Sequence, residues 1–216
     1  MNLSKRLQSI ASMVDFGYTV ADIGTDHALL PIELVLSGKC PYAIAMDVKD
    51  GPLSRAKENI KTFGLCDKIA CRLSDGLDQL DIDEVNCAVM AGMGGDLISN
   101  IISKHPDKVK TLVLSPHTHY ETVRSTLKNH NYRIIDENMI KEDDKFYLIL
   151  KAEKYDLLQS DADPEYYDYF GKILIKSKNP ILREYLLKEQ SKYFSIKQKE
   201  YYLSLVNSAL NEFDLT

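Results

Sequence analysis

Residues 132–153 read YRIIDENMIKEDDKFYLILKAE, and their pattern decides the architecture. YRIIDENMI (132–140) and KFYLILKAE (145–153) are rich in β-branched, aromatic and aliphatic residues. The polar segment KEDD between them leaves no room for a helix, so the spacing predicts an antiparallel hairpin at one sheet edge. Upstream, TVADIG (19–24), YAIAMD (42–47), IACRLS (69–74), NCAVMAG (86–92) and TLVLSP (111–116) read as short strands, each closed by Gly, Pro, Asp or Ser. Helical spacing falls between them. Leu29, Ile32, Leu34, Val35 and Leu36 mark a helix over residues 28–37, Leu53, Ala56, Ile60 and Phe63 one over 51–64, and Leu97, Ile98, Ile101 and Ile102 one over 95–104. Strand and helix in alternation predict a parallel sheet covered on both faces.

Five βα units followed by a hairpin are similar to the class I methyltransferase variant of the doubly wound, Rossmann-like fold. A dehydrogenase of this class would continue with another βα unit, so the hairpin favours methyl transfer over hydride transfer. After Glu153 the composition changes. Residues 156–168 hold Asp156, Asp161, Asp163, Glu165 and Asp168 and no basic residue, as a solvated linker running into a helix start would. A helix over 164–177 would align Tyr166, Phe170, Ile173 and Leu174. Asn179 and Pro180 then suit an N-cap and first helical position. Leu182, Leu186, Tyr193, Ile196, Leu203 and Leu210 continue at helical spacing, predicting two antiparallel helices, the second longer than the first can cover. The expected division is a methyltransferase domain over 1–154 and a helical coiled-coil domain over 155–216.

Composition narrows the function. The chain has 216 residues, 44% hydrophobic and 27% charged, which suits a globular core and excludes wholesale disorder. No stretch approaches the ~18 consecutive apolar residues of a membrane span, so a cytoplasmic protein with no membrane partner is expected. Cys40, Cys66, Cys71 and Cys87 form no C-x-x-C pair and have no His at ligand spacing, so reduced thiols and no metal are expected. The net charge of −5 argues against coating nucleic acid by bulk charge and leaves a local basic face open.

The chemistry gathers at strand ends. In ADIGTDHA (21–28), Asp22 lies in the strand end, Gly24 permits a tight turn, and the following helix aims its N-terminal amides at the crevice. Asp26 and Ala28 replace the second and third glycines of the dinucleotide fingerprint. A carboxylate at Asp26 would repel a pyrophosphate, whereas a cofactor with a sulfonium and an amino group, S-adenosylmethionine, tolerates it. Asp47, at the end of the second strand, can accept both ribose hydroxyls or be a solvated terminus. Asp75 can accept an adenine amino group or cap a helix, with Gly76 allowing the turn. AGMGG (91–95) presents Met93 on nearly bare backbone, or packs a helix tightly on the sheet. Ala91 and Gly92 are expected at the cofactor and Met93 at the substrate. Many amino-methylating enzymes carry Asn or Asp, two prolines and an aromatic residue here, and their absence favours methylation of a ring nitrogen. His27 either hydrogen-bonds substrate or caps the helix. Ser115, Pro116 and His117 read as a turn with no nucleophile elbow.

LSKRLQSIASMV, ADIGTDHALLP, AIAMDVKDGP, SDGL and AGMGG, in this order and at these separations, resemble the bacterial tRNA (adenine-N1)-methyltransferase family that modifies position 22. The resemblance runs from Leu3 to about Glu153. It implies a Rossmann-like catalytic domain, S-adenosylmethionine as methyl donor, tRNA as partner and a C-terminal coiled coil that helps to hold it. Asp47 stands where some members carry Glu. Asp26, His27 and Met93 are then the expected catalytic residues, with Asp26 receiving the 6-amino proton or stabilising charge on the base. Two basic surfaces are expected to hold tRNA, one around Lys5 and Arg6 and one around Arg183, Lys188, Lys192, Lys197 and Lys199. The alternatives are a methyltransferase acting on a protein or small molecule, and a non-catalytic nucleoside-binding module.

Overall fold

The computed structural model describes residues 3–155 and 163–215. In chain order, the first part contains α1 (Lys5–Met13), β1 (Val20–Ile23), α2 (Leu29–Leu36), β2 (Ala43–Asp47), α3 (Asp50–Thr62), β3 (Ile69–Leu73), β4 (Cys87–Ala91), α4 (Gly95–Lys104), β5 (Thr111–Ser115), α5 (Tyr120–Asn129), β6 (Tyr132–Glu142) and β7 (Lys145–Lys154). Their seven strands make one sheet in the order β3-β2-β1-β4-β5-β7-β6. The first five run parallel, and β7 is antiparallel to both β5 and β6. Five parallel strands place five carboxyl ends on one edge, with the order reversing between β1 and β4, where ligands of doubly wound sheets bind. The hairpin turns at Asp143 and Asp144, both with positive φ, the twist that a two-residue connection needs.

Strand residues alternate between two apolar layers, as pleating requires. Ala21, Ile23, Ile44, Met46, Met90 and Leu114 pack with α4 and α5, while Val20, Ala43, Ala45, Val89 and Val113 pack with α1, α2 and α3.

The rest of the chain forms α6 (Tyr166–Phe170), α7 (Lys172–Lys176), α8 (Pro180–Tyr193), a 3-10 turn (Lys197–Lys199) and α9 (Glu200–Asp214). The linker expected over 156–168 falls partly on residues 156–162, outside the described residues. Three expectations need correction. Of the five βα units expected, the third has no helix: β3 leads to β4 through turns over residues 74–86. The helix expected over 164–177 is interrupted at Gly171, whose φ is +89°. A Cβ at Gly171 would lie 2.6 Å from a Glu137 carboxylate oxygen and 2.8 Å from the Arg124 guanidinium, so close backbone approach breaks the helix. The long helix expected after Asn179 ends at Tyr193 and restarts at Glu200. The two halves fold back on each other, Gln190 bonding Asn207 at 2.7 Å and Arg183 meeting Asp214 at 3.5 Å. The antiparallel hairpin is thus α8 with α9, each covering the other. Asn179 caps α8 as expected, its side-chain oxygen accepting from the Ile181 and Leu182 amides at 3.0 Å each.

These helices share the core of the sheet: Phe170, Leu174, Leu182, Leu186, Val206 and Phe213 join the layer containing Met90 and Leu114. A buried ion pair reinforces the seam. Arg124 on α5 donates to Glu137 on β6 at 2.8 and 3.0 Å, and to the carbonyls of Asp168 and Tyr169 at 3.2 and 3.1 Å. Glu137 also accepts the Ile173 amide at 3.1 Å. Every polar end of the pair therefore meets a partner, as a buried charge requires.

Candidate functional site

The β1 edge builds the floor of the site. Asp22 lies within β1, paired with Ala45 and Val89 on its neighbours, and is 7% exposed. Burial pushes its carboxyl up to about 6, with the like charges of Asp26 and Asp47 adding to the shift and the Thr25 hydroxyl opposing it. Asp26 and Asp47 are thus each within electrostatic reach of Asp22. The amides of Gly24 and Thr25 donate to the Met46 carbonyl at 2.8 and 2.9 Å, turning the chain across the end of β2. Gly24 takes φ +72°, and a Cβ there would overlap the Met93 methyl group. His27 and Ala28 follow in the left-handed region, at φ +57° and +54°, an uncommon pair for non-glycine residues. His27 sits before the helix with its ring nitrogen 3.4 Å from the Asp26 carboxylate, and its carbonyl accepts from Asn59 at 2.9 Å. Helix α2 begins at Leu29 with no side-chain cap, so His27 does not cap it.

Asp47 ends β2 and accepts the Lys49 amide at 2.8 Å, leaving its second oxygen without a hydrogen bond among the described residues. Its carbonyl accepts the Ser74 amide at 2.9 Å, which brings the end of β3 alongside. There Asp75 is exposed, and its carboxylate has no hydrogen bond among the described residues. Gly76 is buried at φ +57°, and a Cβ would come within 2.9 Å of Ile101. Backbone connectivity thus places Asp75 and Gly76 on the same edge, without joining them to the Asp22 cluster.

The glycines after β4 divide. Gly95 packs the start of α4 against the loop between β5 and α5: a Cβ would collide with the carbonyls of Thr118 and His119, and its amide donates to the Thr118 carbonyl at 3.1 Å. Gly92, at φ +80°, lies against Arg6 and His117, whose side chains would stand 3.4 and 4.0 Å from a Cβ. Ala91, in register with Ser115, ends the strand, and Met93 reaches back toward Gly24.

The sequence reading placed Arg6 on a tRNA-holding surface but missed the two residues that fix it beside this loop. The Arg6 guanidinium is 3.1 Å from His117 Nε2 and lies over the Tyr147 ring, 5.4 Å from its centroid. His117 meets that ring edge-on at 6.1 Å, and its amide donates to the Met93 carbonyl at 2.8 Å. Partial burial, Arg6 and Lys145 hold the His117 imidazole below its ordinary pKa, so at neutral pH it accepts from Arg6 through Nε2. His117 lies in a stretch that reads as an ordinary turn, and Tyr147 in a strand; only the position of His117 at the end of β5 hinted at the site. On the C-terminal helices, Arg183 pairs with Asp214 and Lys192 with Glu189, while Lys188 lies over the Phe146 ring. A cavity of about 750 Å³ between α5, β6 and α7, lined by Lys128, Arg133 and Tyr155, holds none of the strand-end residues.

An acidic, glycine-turned floor at the carboxyl edge, facing a cationic corner across the Gly92–Met93 backbone, suits a cationic nucleoside cofactor on one side and an anionic substrate on the other. Comparison with known proteins agrees with the fold. A family model described as a methyltransferase domain matches residues 3–150. The tRNA (adenine(22)-N(1))-methyltransferase of Bacillus subtilis is 40% identical over 159 residues, covering 72% of this chain and 67% of that one. The Streptococcus pneumoniae protein Sp1610, solved in complex with S-adenosyl-L-methionine, superposes with a TM-score of 0.88 at 33% identity, over 98% of this chain and 100% of that one. M. capricolum TrmK, solved with S-adenosyl-homocysteine, gives 0.82 at 30% identity over 99% and 96%. With that identity over that share of its length, and the same fold from end to end, the chain belongs to the tRNA (adenine(22)-N(1))-methyltransferase family.

Proposed function

We propose that the protein transfers the methyl group of S-adenosylmethionine to N1 of adenine 22 in tRNA, in the cytoplasm, with residues 1–154 as the catalytic part and 155–216 helping to hold the RNA. The observation that carries this reading is the buried Asp22 carboxyl, pushed up to about 6 beneath the Gly24 turn and flanked by Asp26 and Asp47. A carboxylate held out of water without a counter-charge fits a positively charged ligand.

Asp22, Gly24, Asp47, Asp75, Gly76, Ala91 and Gly92 would hold the cofactor, with Asp47 presenting its free oxygen to the ribose. When bound, S-adenosylmethionine supplies a sulfonium-activated methyl carbon. The N1 lone pair of adenine lies in the ring plane, so the protein's task is to align it and exclude water; no covalent link to the protein is needed. Asp26, whose side chain is 86% exposed, is free to reach the 6-amino group and to offset the positive charge that N1 methylation puts on the base. His27, 3.4 Å away, would orient that carboxylate, and Met93 shapes the pocket wall. The Watson–Crick edge is reachable only after adenine 22 leaves its stack. No described helix is long and apolar enough to cross a membrane.

Incubation of the protein with S-adenosylmethionine and unmodified tRNA, followed by nucleoside mass spectrometry, tests the reading. N1-methyladenosine should form, and should vanish when adenine 22 is replaced by guanine. Its formation at another position, or no methylated nucleoside, contradicts the reading.

A further inference from the structure

Arg6 occupies a corner that the proposed chemistry leaves unassigned. Helix α1 is fixed to the tip of the hairpin, where the Glu142 carboxylate accepts the Lys5 and Arg6 amides at 2.6 and 3.5 Å, and Ser4 accepts the Leu7 amide at 3.2 Å. From this anchored turn the Arg6 guanidinium extends over Tyr147 and donates to His117, and among the described residues no carboxylate meets it. Packing against an aromatic face fixes the plane of a guanidinium, and a neutral imidazole takes up one donor and leaves the others aimed outward. The neighbouring backbone approaches closely as well: a Cβ at Gly92 would stand 3.4 Å from the Arg6 guanidinium.

A half-exposed fork of donors beside the candidate site is the arrangement that grips a phosphate. The placement settles which anion meets it. Met93 reaches the turn at Gly24, while the adjacent Gly92 faces Arg6 and His117, so the corner stands one residue from the side chain proposed to shape the substrate pocket. On the other side, Asp22, Asp26 and Asp47 repel a polyanion, so the backbone of an incoming nucleotide is steered to the cationic side. We infer that Arg6, held by Tyr147 and His117, is the receptor for a phosphate immediately flanking the target adenosine. This rests on the proposed tRNA methylation. Arg6 is the contact; Tyr147 and His117 are positioning residues.

The test uses full-length protein and tRNA carrying a neutral methylphosphonate linkage either 5′ or 3′ of adenine 22. A charge-assisted contact of this kind predicts that Arg6→Ala raises KM for tRNA about tenfold or more, with kcat and S-adenosylmethionine affinity within about twofold of the parent. One of the two neutral linkages should penalise the parent similarly and add nothing to Arg6→Ala, because the two changes delete the same contact. Tyr147→Ala should raise KM and Tyr147→Phe should restore it. Unchanged KM in Arg6→Ala, or a linkage penalty that persists in that variant at both positions, overturns the inference while methylation by the parent stands. Absence of methylation by the parent overturns both.

Discussion

The methyl group of Met93 fills the position where a side chain on Gly24 would begin. Two loops from adjacent strands, one expected at the cofactor and one at the substrate, therefore meet through a single side chain, and a change in either is felt by the other. Gly24→Ala adds a Cβ at φ +72° and drives it into Met93; it should cost about 1 kcal/mol in backbone strain alone and weaken S-adenosylmethionine binding by at least tenfold. In Gly24→Ala/Met93→Ala the overlap is gone, so calorimetry should recover part of the affinity and leave only the backbone component. Equal affinities in single and double variants would show that Met93 is not the obstacle.

The Asp22 carboxyl supplies a pH signature. With its pKa raised to about 6, above its ordinary range, the folded protein holds this proton more tightly than the unfolded chain does. Its contribution to stability is therefore fully present at pH below about 4 and is lost as pH rises toward 6, an effect on the order of 2–3 kcal/mol. Asp22→Asn should raise the Tm of the ligand-free protein at pH 7.5 and flatten this dependence. A cationic ligand favours the ionised form, so S-adenosylmethionine affinity of the parent should climb as pH rises through about 6. A flat binding profile from pH 5 to 7.5 would remove Asp22 from the ligand.

Asp26 and Asp47 separate by readout. Asp47→Ala should weaken S-adenosylmethionine binding by tenfold or more while leaving the melting temperature nearly unchanged, since its only side-chain bond among the described residues is to the Lys49 amide. Asp26→Asn should depress turnover far more than cofactor affinity. Equal turnover under saturating tRNA would contradict its role at the base, and a matched loss of cofactor binding would move it to the cofactor side.

Burial of Arg124 and Glu137 makes them sensitive to loss of either partner. Glu137→Ala leaves a guanidinium that is only 4% exposed without its carboxylate and should cost about 3–5 kcal/mol in urea unfolding. Truncation after Lys154 removes Leu174, Leu182, Leu186 and Val206 from the layer they share with the sheet, and should lower Tm sharply. A truncated protein with an unchanged, cooperative transition would show that the helices fold as a separate unit.

The parallel strands were readable because pleating and burial write directly into residue order, and the hairpin because nothing helical fits between residues 140 and 145. The acids at strand ends were readable for the same reason: Asp22, Asp47 and Asp75 each close an apolar run. The bounds of α5 escaped, since its N-cap, His119, lies in the left-handed region and makes no capping side-chain bond to announce the helix. The break at Gly171 depends on Glu137 and Arg124, 34 and 47 positions away, and no local pattern carries that information. The Arg6–His117–Tyr147 corner joins three elements far apart in the chain, and each residue alone reads as surface, turn or strand.

The docking of α1 bears on how the protein is made. Its amides end on Glu142, 136 and 137 positions later, and Asp15 just beyond it takes Lys151 at 2.5 Å. On the ribosome α1 thus emerges with Ile10 and Met13 uncovered and waits on the order of ten seconds for the strands that receive it. Its docking awaits residues 142–151, so a chain interrupted before them lacks the corner that brings Arg6 to His117.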